Sequence, residues 1–114
     1  MIYTFILLDK ANAQELRKQL KGAHRAYLTA VSDRLAFAGR LVGDDGWTKV
    51  GSLIAVDFPN REAATEWLHN EPFVRGGLYA SIQIQAFINL WPQKAGFPPP
   101  MTEPPLSQGT ESKN

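Results

Sequence analysis

Four stretches of the sequence have the β-branched and aromatic residues of β-strands, at residues 2–8, 35–42, 50–58 and 80–89. The first stretch, IYTFILL, is apolar on both faces of the strand that it predicts. Alternation places on one face Tyr3, Phe5 and Leu7, and on the other Ile2, Thr4, Ile6 and Leu8. A strand that is apolar on both sides needs cover on both, so we expect one helical layer and one further layer.

Helical spacing follows the first strand. Residues 12–21 predict a short helix that Gly22 interrupts, and a second helical segment covers residues 23–33. In that segment an inward stripe repeats at i, i+3, i+4 and i+7, with the members His24, Tyr27, Leu28 and Val31. His24 is therefore expected near the start of a helix, facing inward.

Another helix is predicted between the third and fourth strands, at residues 61–69. Asn60 is a favourable N-cap. Pro72 disfavours helical conformation in the residue before it and is expected to end the helix. The exit from this helix carries the sequence HNEPFVRGGLY, in which Glu71 directly precedes the proline.

The predicted order is strand, helix, strand, strand, helix, strand, which is the ferredoxin-like βαββαβ arrangement of the α+β class. We expect an antiparallel four-stranded sheet with two helices on one face. The apolar open face predicts a second copy of the chain, and hence a homodimer that forms a dimeric α+β barrel. Residues 1–93 are assigned to this domain, and residues 94–114, which are rich in proline, to a C-terminal tail that we expect to pack on a neighbouring subunit.

Composition narrows the class of protein. The net charge is +1, with 20% charged and 44% hydrophobic residues. The sequence has no basic run, so contact with nucleic acid is not predicted. The absence of cysteine excludes disulfides, thiolate metal sites and a cysteine nucleophile. No apolar stretch approaches the ~20 residues that span a bilayer. We expect a cytoplasmic protein that has no membrane contact and uses no cofactor.

The candidate chemistry lies in His24 and Glu71, the histidine and carboxylate that this topology brings together. A carboxylate beside a histidine fixes its tautomer and favours its charged form. Such a pair can take a proton from a substrate and return it elsewhere. The same residues are also compatible with a buried structural histidine and a solvated loop carboxylate.

Five further residues are predicted to bind a substrate. Arg40 lies in the second strand and can recognise an anion, Ser52 follows a glycine in the third, and Tyr79 precedes the fourth. Gln83 and Gln85 point to the sheet face away from the apolar residues of the last strand and predict a polar-lined cavity there. The two histidines lack metal-ligand spacing, so no metal site is predicted.

Several segments together resemble the YciI-like (YCII-related) family over roughly Met1 to Leu90. They are the initial apolar strand, AHRAYL, FAGRL, the DDG hairpin, GSLIAVDF, EAATEW and NEPFVRGGLY. The resemblance implies a small ferredoxin-like α+β barrel, similar in fold to muconolactone isomerase. It also implies an active-site pair of a histidine and the acid before the proline, which are His24 and Glu71 here.

The resemblance further implies lyase or isomerase chemistry without a cofactor, since one similar protein is a dehydrochlorinase and relatives by fold isomerise lactones. This chain departs from the family pattern in three places. Glu71 replaces the usual aspartate, Arg40 stands where a proline is common, and the proline-rich tail is additional.

We therefore hypothesise a lyase or isomerase of a small organic molecule, with His24 as general acid or base. A non-catalytic small-molecule-binding module and a purely structural dimer are the alternatives. The catalytic hypothesis requires the His24 ring and the Glu71 carboxylate to be within about 4 Å.

Overall fold

The computed structural model describes residues 1–92 of the chain, and the proposed tail at 94–114 lies outside them. The described residues form four strands and three helices. In chain order they are β1 (Ile2–Asp9), α1 (Gln14–Thr29), β2 (Leu35–Val42), β3 (Lys49–Asp57), α2 (Arg61–His69), α3 (Pro72–Arg75) and β4 (Tyr79–Phe87). The predicted order of strands and long helices is confirmed, with α3 as an additional element.

The strands form one antiparallel sheet in the order β2-β3-β1-β4. The two central strands are β3 and β1, which explains why β1 is apolar on both faces. Phe5 lies opposite Ile54 of β3 and Ile84 of β4, so these three side chains share the sheet face that the helices cover. This is the predicted ferredoxin-like α+β fold.

The hydrophobic core lies between the sheet and the helices. Phe5 stacks against Trp67 of α2, with 5.6 Å between the ring centroids, and Trp67 also contacts Tyr27 of α1 and Phe58. The fully buried side chains of the core include Phe5, Leu7, Ile54, Val56, Leu68, Phe73 and Leu78. The predicted inward stripe of α1 is confirmed, since His24 and Val31 are buried, Tyr27 contacts Trp67 and Leu28 packs against the core.

Helix α1 runs without a break through Gly22, so the predicted interruption there is wrong. A glycine in a helix interior costs about 1 kcal/mol relative to alanine. Side chains before and after it, such as Leu20 and Leu28, pack against the same core and offset that cost. His24 consequently lies in the later half of a continuous helix and not near a helix start.

Helix α3 is a single turn that the sequence reading missed, because Pro72 was interpreted only as the end of α2. Proline is also favoured at the first position of a helix, where its missing N–H is not needed. Glu71 is the N-cap of this turn, and its Oε1 accepts a hydrogen bond from the Val74 N–H at 3.3 Å. The backbone of Glu71 is thereby fixed between two helices.

A β-bulge interrupts the pairing of β1 with β4. Leu8 pairs with Ser81, whereas the next residue, Asp9, pairs with Tyr79, so Ala80 is an additional residue on β4. Bulges of this kind redirect a side chain relative to strict alternation. The side chain of Tyr79 is turned toward the helices, where it contacts Phe73.

The sheet face opposite the helices is open in the single chain. It carries exposed apolar side chains, including Leu8, Phe37 and Phe87, with the rings of Phe37 and Phe87 in an edge-to-face contact. None of the helices within residues 1–92 is long and apolar enough to cross a membrane.

Candidate active site

His24 and Glu71 are in direct contact in the interior of the molecule. The His24 Nδ1 atom lies 2.5 Å from Glu71 Oε2, and the Glu71 side chain is completely buried. The contact expected from the sequence is therefore present, although the two residues come from α1 and from the cap of α3. Because Oε1 is held by Val74, both carboxylate oxygens of Glu71 have a defined partner.

The His24 ring is also fixed by stacking. It lies nearly parallel to the Phe73 ring, at an angle of 11° and a centroid distance of 3.9 Å. With Nδ1 engaged by the carboxylate, the tautomer is set by that hydrogen bond. Nε2 makes no hydrogen bond to any residue between 1 and 92, so it is the ring nitrogen that remains free to form one.

A cavity of about 260 Å³ adjoins this histidine, lined by residues of α1, β2 and β3. Its polar wall includes His24, Arg40 and Ser52, and its apolar wall includes Leu28 and Ile54. The volume is close to the lower end for small-molecule pockets, which run from roughly 300 Å³ upward. A cavity of this size suits a small, single-ring organic molecule.

A second buried ion pair lies on the same helix and was not predicted from the sequence. Arg17 is 4% exposed and donates two hydrogen bonds to Asp9, at 2.8 and 3.2 Å. The Nη2 group that reaches Asp9 also donates to the Gly51 carbonyl oxygen at 2.9 Å and to the Ser52 hydroxyl at 3.1 Å, so its two hydrogens are shared among three acceptors, whereas Nη1 is buried without a partner among residues 1–92. The sequence signal was present, because Arg17 precedes His24 by seven residues and thus lies on the same side of the helix.

Tyr79 completes this second cluster. Its hydroxyl donates to the Ser52 Oγ at 2.8 Å. Burial raises the pKa of Tyr79 well above its ordinary value, and the nearby Glu71 carboxylate raises it further, although the Ser52 hydrogen bond opposes the shift. Tyr79 is therefore a neutral phenol across the physiological range, which can donate a hydrogen bond but cannot act as a base.

Of the predicted substrate-binding residues, the structure brings Arg40 and Ser52 to the cavity beside His24, with Tyr79 bonded to Ser52 behind it. Gln83 and Gln85 are elsewhere. They pair with Ile6 and Thr4 and are exposed on the open face of the sheet.

Within the single chain the structure does not bring the glutamines to the cavity beside His24, and the prediction that they hold the same substrate stays a prediction. The sheet itself separates the two glutamines from the cavity. Within the described residues, no group of three or more His, Cys, Asp or Glu side chains is arranged to hold a metal ion.

The fold and this pair define a ferredoxin-like α+β protein with a histidine-carboxylate site under its helices. Residues 1–88 match the YCII-related domain, and the chain belongs to that family.

Similar proteins include Protein YciI of Escherichia coli O6:H1 and of Shigella flexneri, each 32% identical over 96 residues. These alignments cover 76% of this chain and 96% of the relative. An uncharacterised protein of Haemophilus influenzae is 29% identical over 94 residues, with the same coverage.

Among solved structures, the chain is similar to 5-chloro-2-hydroxyhydroquinone dehydrochlorinase (TftG) from Burkholderia phenoliruptrix AC1100, solved in complex with 2,5-dihydroxybenzoquinone. The TM-score is 0.71 with 22% sequence identity, and the match covers 77% of this chain and 94% of that protein. At this identity the similarity shows a common fold.

Proposed function

We propose that the protein is a cofactor-independent lyase or isomerase that acts on a small organic molecule by proton transfer through His24. The observation that carries this proposal is the buried contact of His24 Nδ1 with Glu71 at the wall of a cavity. A histidine that is oriented on one nitrogen and open on the other has the arrangement of a general acid or base.

In the proposed reaction Nε2 takes a proton from a carbon or hydroxyl group of the substrate. Glu71 holds the ring and stabilises the imidazolium that forms. In an isomerisation the proton returns to another substrate atom. In an elimination the leaving group departs as an anion with the electron pair of its bond, and the proton is later released to water. Neither course requires an oxidant or a reductant.

Two further observations support the lyase branch. The family relationship places the chain among proteins that share its fold, and TftG, which has that fold, is a dehydrochlorinase of a hydroxylated aromatic ring. The cavity beside His24 has a volume that suits a single ring. We therefore include chlorinated hydroquinones, phenols and lactones in the substrate class to be tested.

The test is a screen of these compounds with the full chain, following halide release, ultraviolet absorbance and exchange of substrate hydrogen with deuterated water. The matched variant is His24→Gln, because its amide can still donate to Glu71 but cannot exchange a proton near neutrality. We expect turnover by the unmodified chain and a decrease of about 10²- to 10⁴-fold in the variant. Equal rates for both proteins would refute the proposal, and binding without turnover would favour a binding module.

We also propose that the open face of the sheet is covered by a second copy of the chain, which gives a homodimer. This proposal is supported by the exposed apolar residues Leu8, Phe37 and Phe87, since large exposed apolar patches mark interaction surfaces.

Light scattering of the full chain over a range of concentrations tests the dimer. We expect a dimer mass for the unmodified chain and a monomer for Phe87→Lys, which places a charge on the open face. The control is Glu62→Lys on the exposed side of α2, which should remain a dimer. A monomer at every concentration of the unmodified chain would contradict this part.

A further inference from the structure

The hydroxyl groups of Ser52 and Tyr79 share one hydrogen bond but carry two hydrogen atoms. Arg17 donates to Ser52 Oγ at 3.1 Å, and a guanidinium can only donate. Tyr79 donates to the same oxygen at 2.8 Å. A serine oxygen has two acceptor positions. Both acceptor positions of Ser52 Oγ are thus filled by Arg17 and Tyr79. The hydroxyl hydrogen of Ser52 therefore points to an acceptor other than these two residues.

No residue between 1 and 92 accepts that hydrogen. Ser52 lines the cavity beside His24, whereas Tyr79 does not line it. The cavity is consequently the place where an acceptor for the Ser52 hydrogen can sit. An anionic substrate oxygen at this position would accept a charge-assisted hydrogen bond from Ser52, which is stronger than the bond to a neutral acceptor such as water.

The charge of the cavity is suited to an anionic oxygen. Arg40 lies directly opposite Ser52 in the pairing of β2 with β3, and it lines the same cavity. Among the described residues that line it there is no Asp or Glu, and Arg25 is a second arginine among them. Arg17 sits behind the serine and increases the donor strength of its hydroxyl through a charge-assisted hydrogen bond.

We propose that Ser52 binds substrate, as the donor of a hydrogen bond to an anionic oxygen whose charge Arg40 balances, and that the substrates are small acidic enols or phenols. This inference rests on the proposed function, because it assigns the substrate class of the same site. It also gives Ser52 a role that is not nucleophilic. Both acceptor positions of its oxygen are occupied, and no base among the described residues is hydrogen bonded to it.

The experiment measures binding alone, so it does not depend on turnover. The probe is 4-nitrophenol, whose anion is coloured, and the matched neutral molecule is 4-nitroanisole, in which a methyl group blocks the oxygen. We expect the full chain to bind the phenolate more tightly than the anisole, and bound nitrophenol to ionise at lower pH than free nitrophenol. The absorbance of the anion reports the binding and the ionisation of nitrophenol, and competition against nitrophenol at the same absorbance reports the affinity for the anisole.

Two variants separate the donor from the rest of the cluster. Ser52→Ala removes the hydroxyl hydrogen and should weaken phenolate binding by about 10- to 100-fold, as expected for a hydrogen bond to a charged group. It should leave anisole binding unchanged. Tyr79→Phe retains the Ser52 hydroxyl and should bind phenolate within about 3-fold of the unmodified chain. The variant removes the hydrogen bond from Tyr79 to Ser52 but no hydrogen bond to the phenolate.

Thermal melting checks that each variant is folded. If Ser52→Ala does not fold, Ser52→Cys replaces it, because a thiol is a much weaker donor than a hydroxyl. Equal affinity of the unmodified chain for both probes would overturn the inference. So would phenolate binding that is unchanged in the Ser52 variant, or that is lost equally in Tyr79→Phe. His24→Gln should still bind phenolate, so a failed screen for turnover and a failed binding test are distinguishable.

Discussion

Helix α1 carries two buried cationic or titratable side chains, Arg17 and His24, and each meets a carboxylate from outside the helix. Arg17 meets Asp9 at the end of β1, and His24 meets Glu71 at the start of α3. Phe73 lies between them, since its ring stacks on His24 and lies 5.1 Å from the guanidinium carbon of Arg17. The two pairs are similar in burial and differ in the nitrogen that makes no hydrogen bond within residues 1–92, which is the guanidinium Nη1 of Arg17 in one pair and the imidazole Nε2 of His24 in the other.

Arg17 donates to Asp9, Gly51 and Ser52, its Nη1 atom is buried without a hydrogen-bond partner among residues 1–92, and a guanidinium serves only as a donor. His24 has one nitrogen bound and one nitrogen beside a cavity, and imidazole exchanges protons near neutrality. Burial of a charged pair is thus not evidence of catalysis by itself. The evidence comes from a titratable group that has a free position facing a space that a substrate can enter.

The largest expected effect on stability comes from breaking the pair of Arg17 and Asp9. Asp9→Ala leaves the Arg17 charge buried with no carboxylate, and the loss of one partner from a buried pair costs about 3–5 kcal/mol. Urea unfolding should show this decrease in the free energy of unfolding. Asp57→Ala is the control: Asp57 is 60% exposed in its ion pair with the Met1 amino group, so its removal should cost at most about 1 kcal/mol. A similar loss from both variants would mean that burial does not distinguish these pairs.

The next expected effect concerns the proposed catalytic pair of His24 and Glu71. Glu71→Gln keeps the size of the side chain and an acceptor for the Val74 N–H, but removes the charge beside His24. We expect turnover of the compound that the screen identifies to fall by about 10²-fold. The loss of stability should be smaller than for Asp9→Ala, because no fixed charge is left unpaired. A variant with full activity would show that the carboxylate charge is not used.

A third variant, Gly76→Ala, is expected to move α3, which carries Glu71 at its start, relative to α1, which carries His24. A Cβ atom added at Gly76 would overlap Leu20, which lies on α1 between Arg17 and His24, and would be 3.0 Å from the Pro72 carbonyl oxygen. Gly76→Ala should therefore displace α3 from α1 and destabilise the protein by about 1–3 kcal/mol.

Gly22→Ala is the matched control with the opposite expected sign. A Cβ atom there meets nothing within 4 Å, and alanine favours a helix interior by up to about 1 kcal/mol. Thermal melting of the two variants measures both effects. Destabilisation by Gly22→Ala would contradict the continuous helix.

The smallest effect appears in alkaline solution. The pKa values of Tyr79 and Tyr27 are raised by burial, so above about pH 10 the unfolded chain loses protons that the folded chain keeps. Their contribution to stability is complete below that pH and is lost as the pH rises, by at most about 1.4 kcal/mol per pH unit for each group.

The Tyr79→Phe variant should flatten this alkaline decrease in urea unfolding measured at several pH values. Tyr27→Phe should flatten it less, because Tyr27 is only half-buried. An unchanged slope in Tyr79→Phe would show that the phenol ionises equally in both states.

The sequence predicted the strands and the long helices well, because their apolar periodicity is local. The strand at residues 35–42 and the helix at 61–69 have the predicted bounds, and Asn60 caps that helix through a hydrogen bond from the Ala63 N–H at 2.8 Å. The contact of His24 with Glu71 was also predictable, since the topology places α1 beside the exit of α2.

The features that were missed depend on long-range packing. Arg17 lies in the segment 12–21 that the sequence predicts as a short helix, and its burial was not predicted, because a charged residue is rarely buried without a partner and Asp9 is not adjacent in sequence. Gln83 and Gln85 were correctly assigned to the face away from Ile84, but the cavity lies on the other face, under α1. Only the pairing of the strands decides which face adjoins His24.

The bulge at the start of β4 has a consequence for comparisons with relatives. Because Ala80 is an additional residue opposite β1, strict alternation counted back from Ser81 gives the wrong direction for Tyr79. A relative that lacks the additional residue would present its phenol at a position one place later in the strand. Alignments of this segment should therefore permit a one-residue gap there, so that a shifted tyrosine is not mistaken for a lost one.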